Sequence, residues 1–140
     1  MPDVVDRLVA ALNAHDMEAC VRCYSDAATM VGPEMQADGH EQIASYHAHV
    51  WDAVPDVSMT VWDRISDGDR AAVETTFNGT HTGPFLIAGG QVVEPSGRRV
   101  SFHACWVFTI ENDLIIAHRL YFDQLELYSQ LGVAFPATAS

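Results

Sequence analysis

Basic side chains are scarce in this chain: seven, against nineteen acidic ones, for a formal charge of −12. A field of that sign repels phosphate backbones and anionic bilayers, so neither nucleic acid nor a membrane is expected as a partner. Long apolar runs are missing too, and no stretch approaches the roughly 20 apolar residues that a spanning helix needs. The first residues carry no basic region followed by an apolar run, which makes the cytoplasm the expected location. Cysteine is sparse and odd in number, at Cys20, Cys23 and Cys105, which argues against the disulfide framework of a small secreted domain. Cys20 and Cys23 form a C-x-x-C, but inside a helical pattern and without a second pair to complete a zinc site. Two buried thiols are expected.

What the chain has in quantity is apolar surface. Hydrophobic residues make up 49% of its 140 positions, enough for one core, and a single domain over 1–140 is expected. Val4, Val5, Leu8, Val9 and Leu12 recur at helical spacing, Asn13 to Asp16 interrupt them, and Met17, Cys20, Val21 and Tyr24 resume, which predicts two short helices. A brief strand over 27–32 ends at Gly32-Pro33. Asp38 can then cap a third helix with Ile43, Tyr46, His47, Val50, Trp51 and Val54 on one face, stopped by Pro55.

From Val57 the period changes to two. Strands 57–65 and 70–78 flank a hairpin turn at Ser66-Asp67-Gly68-Asp69. Residues 79–99 hold five glycines and two prolines, which predicts a long loop beside a pocket. A second hairpin joins strands 100–110 and 114–122, and Asp123 starts a last helix reaching Gly132. Helices followed by antiparallel strands give an α+β class, with a curved sheet wrapped around three N-terminal helices and a cavity at the open end.

The stretches Tyr24-Ser-Asp-Ala-Ala-Thr29, Gly39-His-Glu-Gln-Ile-Ala44, Gly79-Thr-His-Thr-Gly83, Ser96-Gly-Arg-Arg-Val100, His118-Arg119 and Gln130-Leu-Gly132 occur in one order and spacing. On them the chain resembles the SnoaL-like polyketide cyclases, relatives of ketosteroid isomerase and limonene-epoxide hydrolase with the nuclear-transport-factor-2-like cone. The resemblance implies cofactor-independent chemistry, in which a carboxylate or histidine removes a proton beside a carbonyl and a buried donor holds the enolate. It also implies a homodimer through the outer face of the sheet, where positions 101, 103, 105, 107 and 109 mix Ser, His, Cys, Val and Thr.

The family's own catalytic positions are occupied differently in this chain. The base before the first-strand proline is Gly32, the oxyanion tyrosine falls on Leu8, the cyclase histidine on Trp106, and the aspartate after the arginine on Leu120. Asp123 stands near that last position, but Asp123 and Glu126 have the spacing of a capping box, which is the role expected of them. With Trp106 and Leu120 facing inward, alternation turns Phe102, Ala104, Phe108, Ile116 and His118 inward as well, and His103, Arg119 and Tyr121 outward. A looser comparison with the epoxide hydrolases turns Val73, Thr75 and Phe77 inward.

Two histidines survive this sorting. His118 lies on the inward set, and His47 lies on the third helix where the isomerase has a network tyrosine; Tyr24 matches another. His81 is expected to brace its loop, and a metal site from His81, His103 and His118 is not expected, because they do not share a face. The resemblance therefore implies a cofactor-independent cyclase or isomerase for a hydrophobic polyketide-like or terpenoid-like molecule. His118 and His47 are its acid–base groups, and Tyr24, Gly32, Trp51, Thr75, Phe77, Phe102, Trp106 and Leu120 surround the ligand. A non-catalytic carrier of a hydrophobic metabolite is the alternative, and epoxide hydrolysis, which needs an arginine and two carboxylates, comes third.

Overall fold

The computed structural model describes residues 3–33, 35–87 and 90–133. Helix α1 (Val4–Asn13) starts where the Asp3 carboxylate accepts the Asp6 N–H, and buries Val4, Val5, Leu8, Ala11 and Leu12. Helix α2 (Met17–Val21) starts in the same way, with Asp16 accepting from Ala19. It ends before Tyr24, which instead opens strand β1 (Tyr24–Gly32). The helical spacing of Tyr24 gives way because pairing with Ile115 across the sheet is worth more than another half-turn of a five-residue helix.

Pro33 then turns the chain into β2 (Met35–Asp38), an edge strand too short for periodicity to show in the sequence. Helix α3 (Gly39–Ala53) follows. Asp38 sits at its N-cap position, but its side chain makes no capping bond; the Gln42 side chain reaches back to accept the Asp38 N–H at 2.8 Å. The remaining strands are β3 (Ser58–Asp67), β4 (Arg70–Thr80), β5 (Phe85–Leu86), β6 (Val92–Val93), β7 (Arg99–Glu111) and β8 (Leu114–Phe122), with helix α4 (Gln124–Leu131) last.

The six-stranded sheet runs β2-β1-β8-β7-β4-β3. Its neighbours are antiparallel except β1 and β8, which run parallel because the whole helix-and-sheet excursion separates them in sequence. A bulge in the β7–β8 pairing between Thr109 and Ile110 breaks the alternation assumed for the start of β8. Ile115 is therefore the fully buried residue, and Ile116 is only half-buried. On the outer face Trp62 and Tyr121 are exposed, and His103 and Ser101 lie open as well.

The segment 79–99 is less irregular than its composition suggests, since β5 and β6 pair into a short hairpin. Its start is pinned to the end of α3, where Thr82 and Gly83 both donate to the Ala53 carbonyl. A Cβ on Gly83 would stand 1.8 Å from the Asp52 carbonyl oxygen, so only glycine allows this approach. His81 closes the other side: its Nδ1 bonds Ser96, its N–H donates to Arg98, and its carbonyl accepts from Gly97.

Helix α4 carries half of the expected capping box. Asp123 accepts from Leu125 and Glu126, but the Glu126 carboxylate turns across to β7 and accepts the His103 N–H at 3.0 Å. Gly132 ends the helix with a left-handed φ of 77°. Asp123→Ala is expected to lower stability by about 1 kcal/mol, the usual worth of an N-cap, in urea unfolding. An unchanged midpoint would show that the Asp123 carboxylate does not hold this helix.

Candidate functional site

Two apolar clusters fill the fold, one beneath α1 and α3 and one around α4. Between them lies a cavity of about 90 Å³. Helix α3 contributes Tyr46, His47, Val50 and Trp51 to its wall, the sheet contributes Phe77, Phe102, Trp106, Leu120 and Phe122, and α4 closes it with Leu127 and Leu131. Phe85 reaches in from the short β5–β6 hairpin. Rings pack against one another along the sheet side, with Phe77 5.4 Å from both Phe102 and Trp106. Among the described residues the wall holds no Asp, Glu, Lys or Arg. An apolar cavity of roughly 150 Å³ takes up benzene. Even a ligand of one ring therefore has to move wall side chains here.

Six of the ten residues expected at the site line this wall: His47, Trp51, Phe77, Phe102, Trp106 and Leu120. His118, Tyr24, Thr75 and Gly32 do not. His118 does point to the concave side of the sheet, but Trp106 and Phe108 cover it with ring centroids 4.5 Å away, so it lies under the cavity floor. Thr75 is buried and spends its hydroxyl on the Ala104 carbonyl at 3.2 Å. Gly32 faces Met35 and the Leu120 Cβ at the end of β1. Alternation gives the face of a strand and not its depth, and the bulk of Trp106 decides the depth here.

Tyr24 joins the two histidines. Its hydroxyl lies 2.9 Å from Nδ1 of His118 and 3.4 Å from Nε2 of His47, and all three side chains are buried. His47, which lines the cavity, thus turns Nε2 to Tyr24 and leaves Nδ1 unbonded. Nε2 of His118 is buried among rings with no hydrogen-bond partner.

Burial sets the charge state of this group. It lowers His47 to about 4, and it holds His118 well below the usual histidine range, with repulsion from His47 adding to the effect. Tyr46 is pushed up to about 12 by burial, so its hydroxyl stays a neutral donor beside His47.

Tyr46, Phe85, Phe122, Leu127 and Leu131 also belong to the wall, beyond the residues that sequence reasoning points to. Tyr46 is within reach of that reasoning, since it precedes His47 in the same helical stripe. Phe85 is not, because nothing periodic surrounds it. His15 stacks flat on Trp51 at 5.0 Å and donates to the Val57 carbonyl at 2.9 Å, bracing the wall from a turn residue of φ 53°. No three His, Cys, Asp or Glu side chains among the described residues converge as metal ligands would.

These low imidazole pKa values bear on stability. The unfolded chain binds a proton at His47 near pH 6.5 and the folded chain only near pH 4, so acid favours unfolding across that window. The gap between those two values makes His47 cost the fold on the order of 3 kcal/mol by pH 4. Urea midpoints should fall less steeply between pH 6.5 and 4 in His47→Phe than in wild type. Parallel curves would show that His47 takes up its proton without penalty in the folded state.

Several solved structures are similar to this chain. TsrD from Streptomyces laurentii is 30% identical, over 94% of this chain and 93% of its own, with a TM-score of 0.80. IdmH from Streptomyces antibioticus, described as a polyketide cyclase, is 23% identical over 93% of this chain and 96% of its own, at a TM-score of 0.76. AclR from Streptomyces galilaeus, described as a hydroxylase, is 22% identical over 96% and 85%, at 0.80. The last two likenesses show the fold, which is the ketosteroid-isomerase-like cone. No curated protein matches the sequence at a significant level. The family model for SnoaL-like polyketide cyclases matches residues 2–131, and the chain belongs to that family.

Proposed function

We propose that the protein is a cofactor-independent cyclase or isomerase of a hydrophobic polyketide-like or terpenoid-like molecule, with His47 as its acid–base residue. One observation carries the reading: a neutral, buried imidazole with an unbonded nitrogen stands on a wall that is mostly apolar and, among the described residues, holds no carboxylate, lysine or arginine. A histidine lowered to about 4 is unprotonated at neutral pH, so its lone pair is free to take a proton from carbon next to a carbonyl; the imidazolium so formed is paired with the enolate left beside it, and it returns the proton elsewhere on the same molecule. Tyr46, adjacent on the wall, is the neutral donor for the oxygen that gains charge.

The aromatic surround folds the substrate, and orientation of that kind can be worth roughly 7–11 kcal/mol at best. The chain contains no lysine, so it cannot form a lysine Schiff base. Epoxide hydrolysis finds no support on a wall that lacks, among the described residues, both carboxylates and arginine.

The carrier reading rests on the replacement of the family's acid and donor positions by Gly32, Leu8, Trp106 and Leu120. The two readings separate on His47→Phe, which fills the volume and removes proton transfer. Assayed by mass spectrometry on hydrophobic poly-keto substrates, the variant should lose on the order of 10²–10⁴ in kcat while remaining folded. Turnover at the wild-type rate would contradict the role of His47. Tight binding with no turnover in wild type would make the protein a carrier.

A further inference from the structure

Resting on the acid–base reading of His47, we propose that Tyr24 and His118 fix the tautomer of His47, with the proton on Nε2 and the lone pair of Nδ1 toward the cavity. The pocket then selects neutral ring ligands that carry an O–H donor, of the phenol or enol class.

At the far end of the chain of contacts, Nε2 of His118 has no polar partner, and the rings of Trp106 and Phe108 lie at 4.5 Å. An N–H gains from electron-rich rings, whereas a lone pair is repelled by them. The proton of His118 therefore sits on Nε2, and Nδ1 is an acceptor. Tyr24 must donate its single hydroxyl proton to that acceptor, which accords with the shorter of its two contacts, 2.9 Å against 3.4 Å.

With its proton committed, the Tyr24 oxygen can only accept from His47. Nε2 of His47 consequently carries the proton, and Nδ1 is bare. Tyr24 and His118 do not line the cavity, and so they are positioning residues.

A bare Nδ1 accepts a hydrogen bond and cannot give one. A phenol or enol satisfies it directly, while a methyl group in the same place leaves it unpaired. A carboxylate presents oxygen lone pairs to it and, among the described residues, finds no cation on the wall.

Nitrogen-15 correlation spectra of the imidazoles read the tautomer, and titration with phenol, toluene and benzoate reads the selection. Wild type should show His47 protonated on Nε2 and bind phenol at least about tenfold more tightly than toluene, although toluene is the more apolar; benzoate should bind most weakly. His118→Phe frees the Tyr24 hydroxyl to donate to His47, so the His47 proton should move to Nδ1 and the phenol preference should disappear. Tyr24→Phe, which removes the bridge, should give a mixture of tautomers; it also serves if the first variant fails to fold.

Nδ1–H in wild type, toluene binding as well as phenol, or a tautomer unmoved in a folded variant would each overturn the proposal. The catalytic reading fails separately. If His47→Phe kept full turnover while the wild-type tautomer and phenol preference stood as stated, acid–base catalysis would fall and the selection would remain.

Discussion

A polar atom taken into an apolar interior needs a partner there, and in this protein one hydroxyl serves two imidazoles. Tyr24 lies between His118 and His47 where β1, β8 and α3 come together. Burial keeps both imidazoles neutral, since a charge on either would sit in a medium that cannot solvate it. A neutral imidazole has one donor and one acceptor, so a single bridging hydroxyl is enough to order the set. The sheet register that puts His118 opposite Phe108 and beside Met30 of β1 is therefore also what holds the one cavity-facing histidine in place.

Bulk then divides the cone into two levels. Trp106 and Phe108 fill the narrow end and shut His118 below the floor, while Phe77, Phe102 and Phe122 line the wider space above. Trp106 and Leu120 belong to this arrangement, because both put apolar bulk on the cavity wall. What remains is a mostly apolar cavity with His47 and Tyr46 as the titratable groups among the described wall residues. Such a site suits reactions in which conformation matters more than stabilising a strong anion.

Much of the fold is legible in the sequence because its signals are periodic. The apolar spacing of α1 and α3, the two long hairpins and the Asp123 cap follow from repeats and caps that physical chemistry ties to one structure. Tyr24 fits a helix by its spacing, and only the distant Ile115 reveals the strand it opens. The inward facing expected of Ile116 is lost for a related reason, since a bulge shifts the alternation and leaves no mark in composition. At the site, the facing of His47, Trp51, Phe77, Phe102, Trp106 and Leu120 is readable from period and resemblance. The depth of His118 is not, because it depends on how two rings from β7 pack over it, a three-dimensional matter of volume.

If His47 exchanges protons with carbon in an apolar cavity, hydrogen–deuterium exchange into a ketone detects it without the natural substrate. Acetophenone incubated with the protein in D₂O should gain deuterium beside its carbonyl faster than in buffer, and His47→Phe should abolish the excess. Exchange no faster than in buffer, or an excess that survives His47→Phe, would contradict the account.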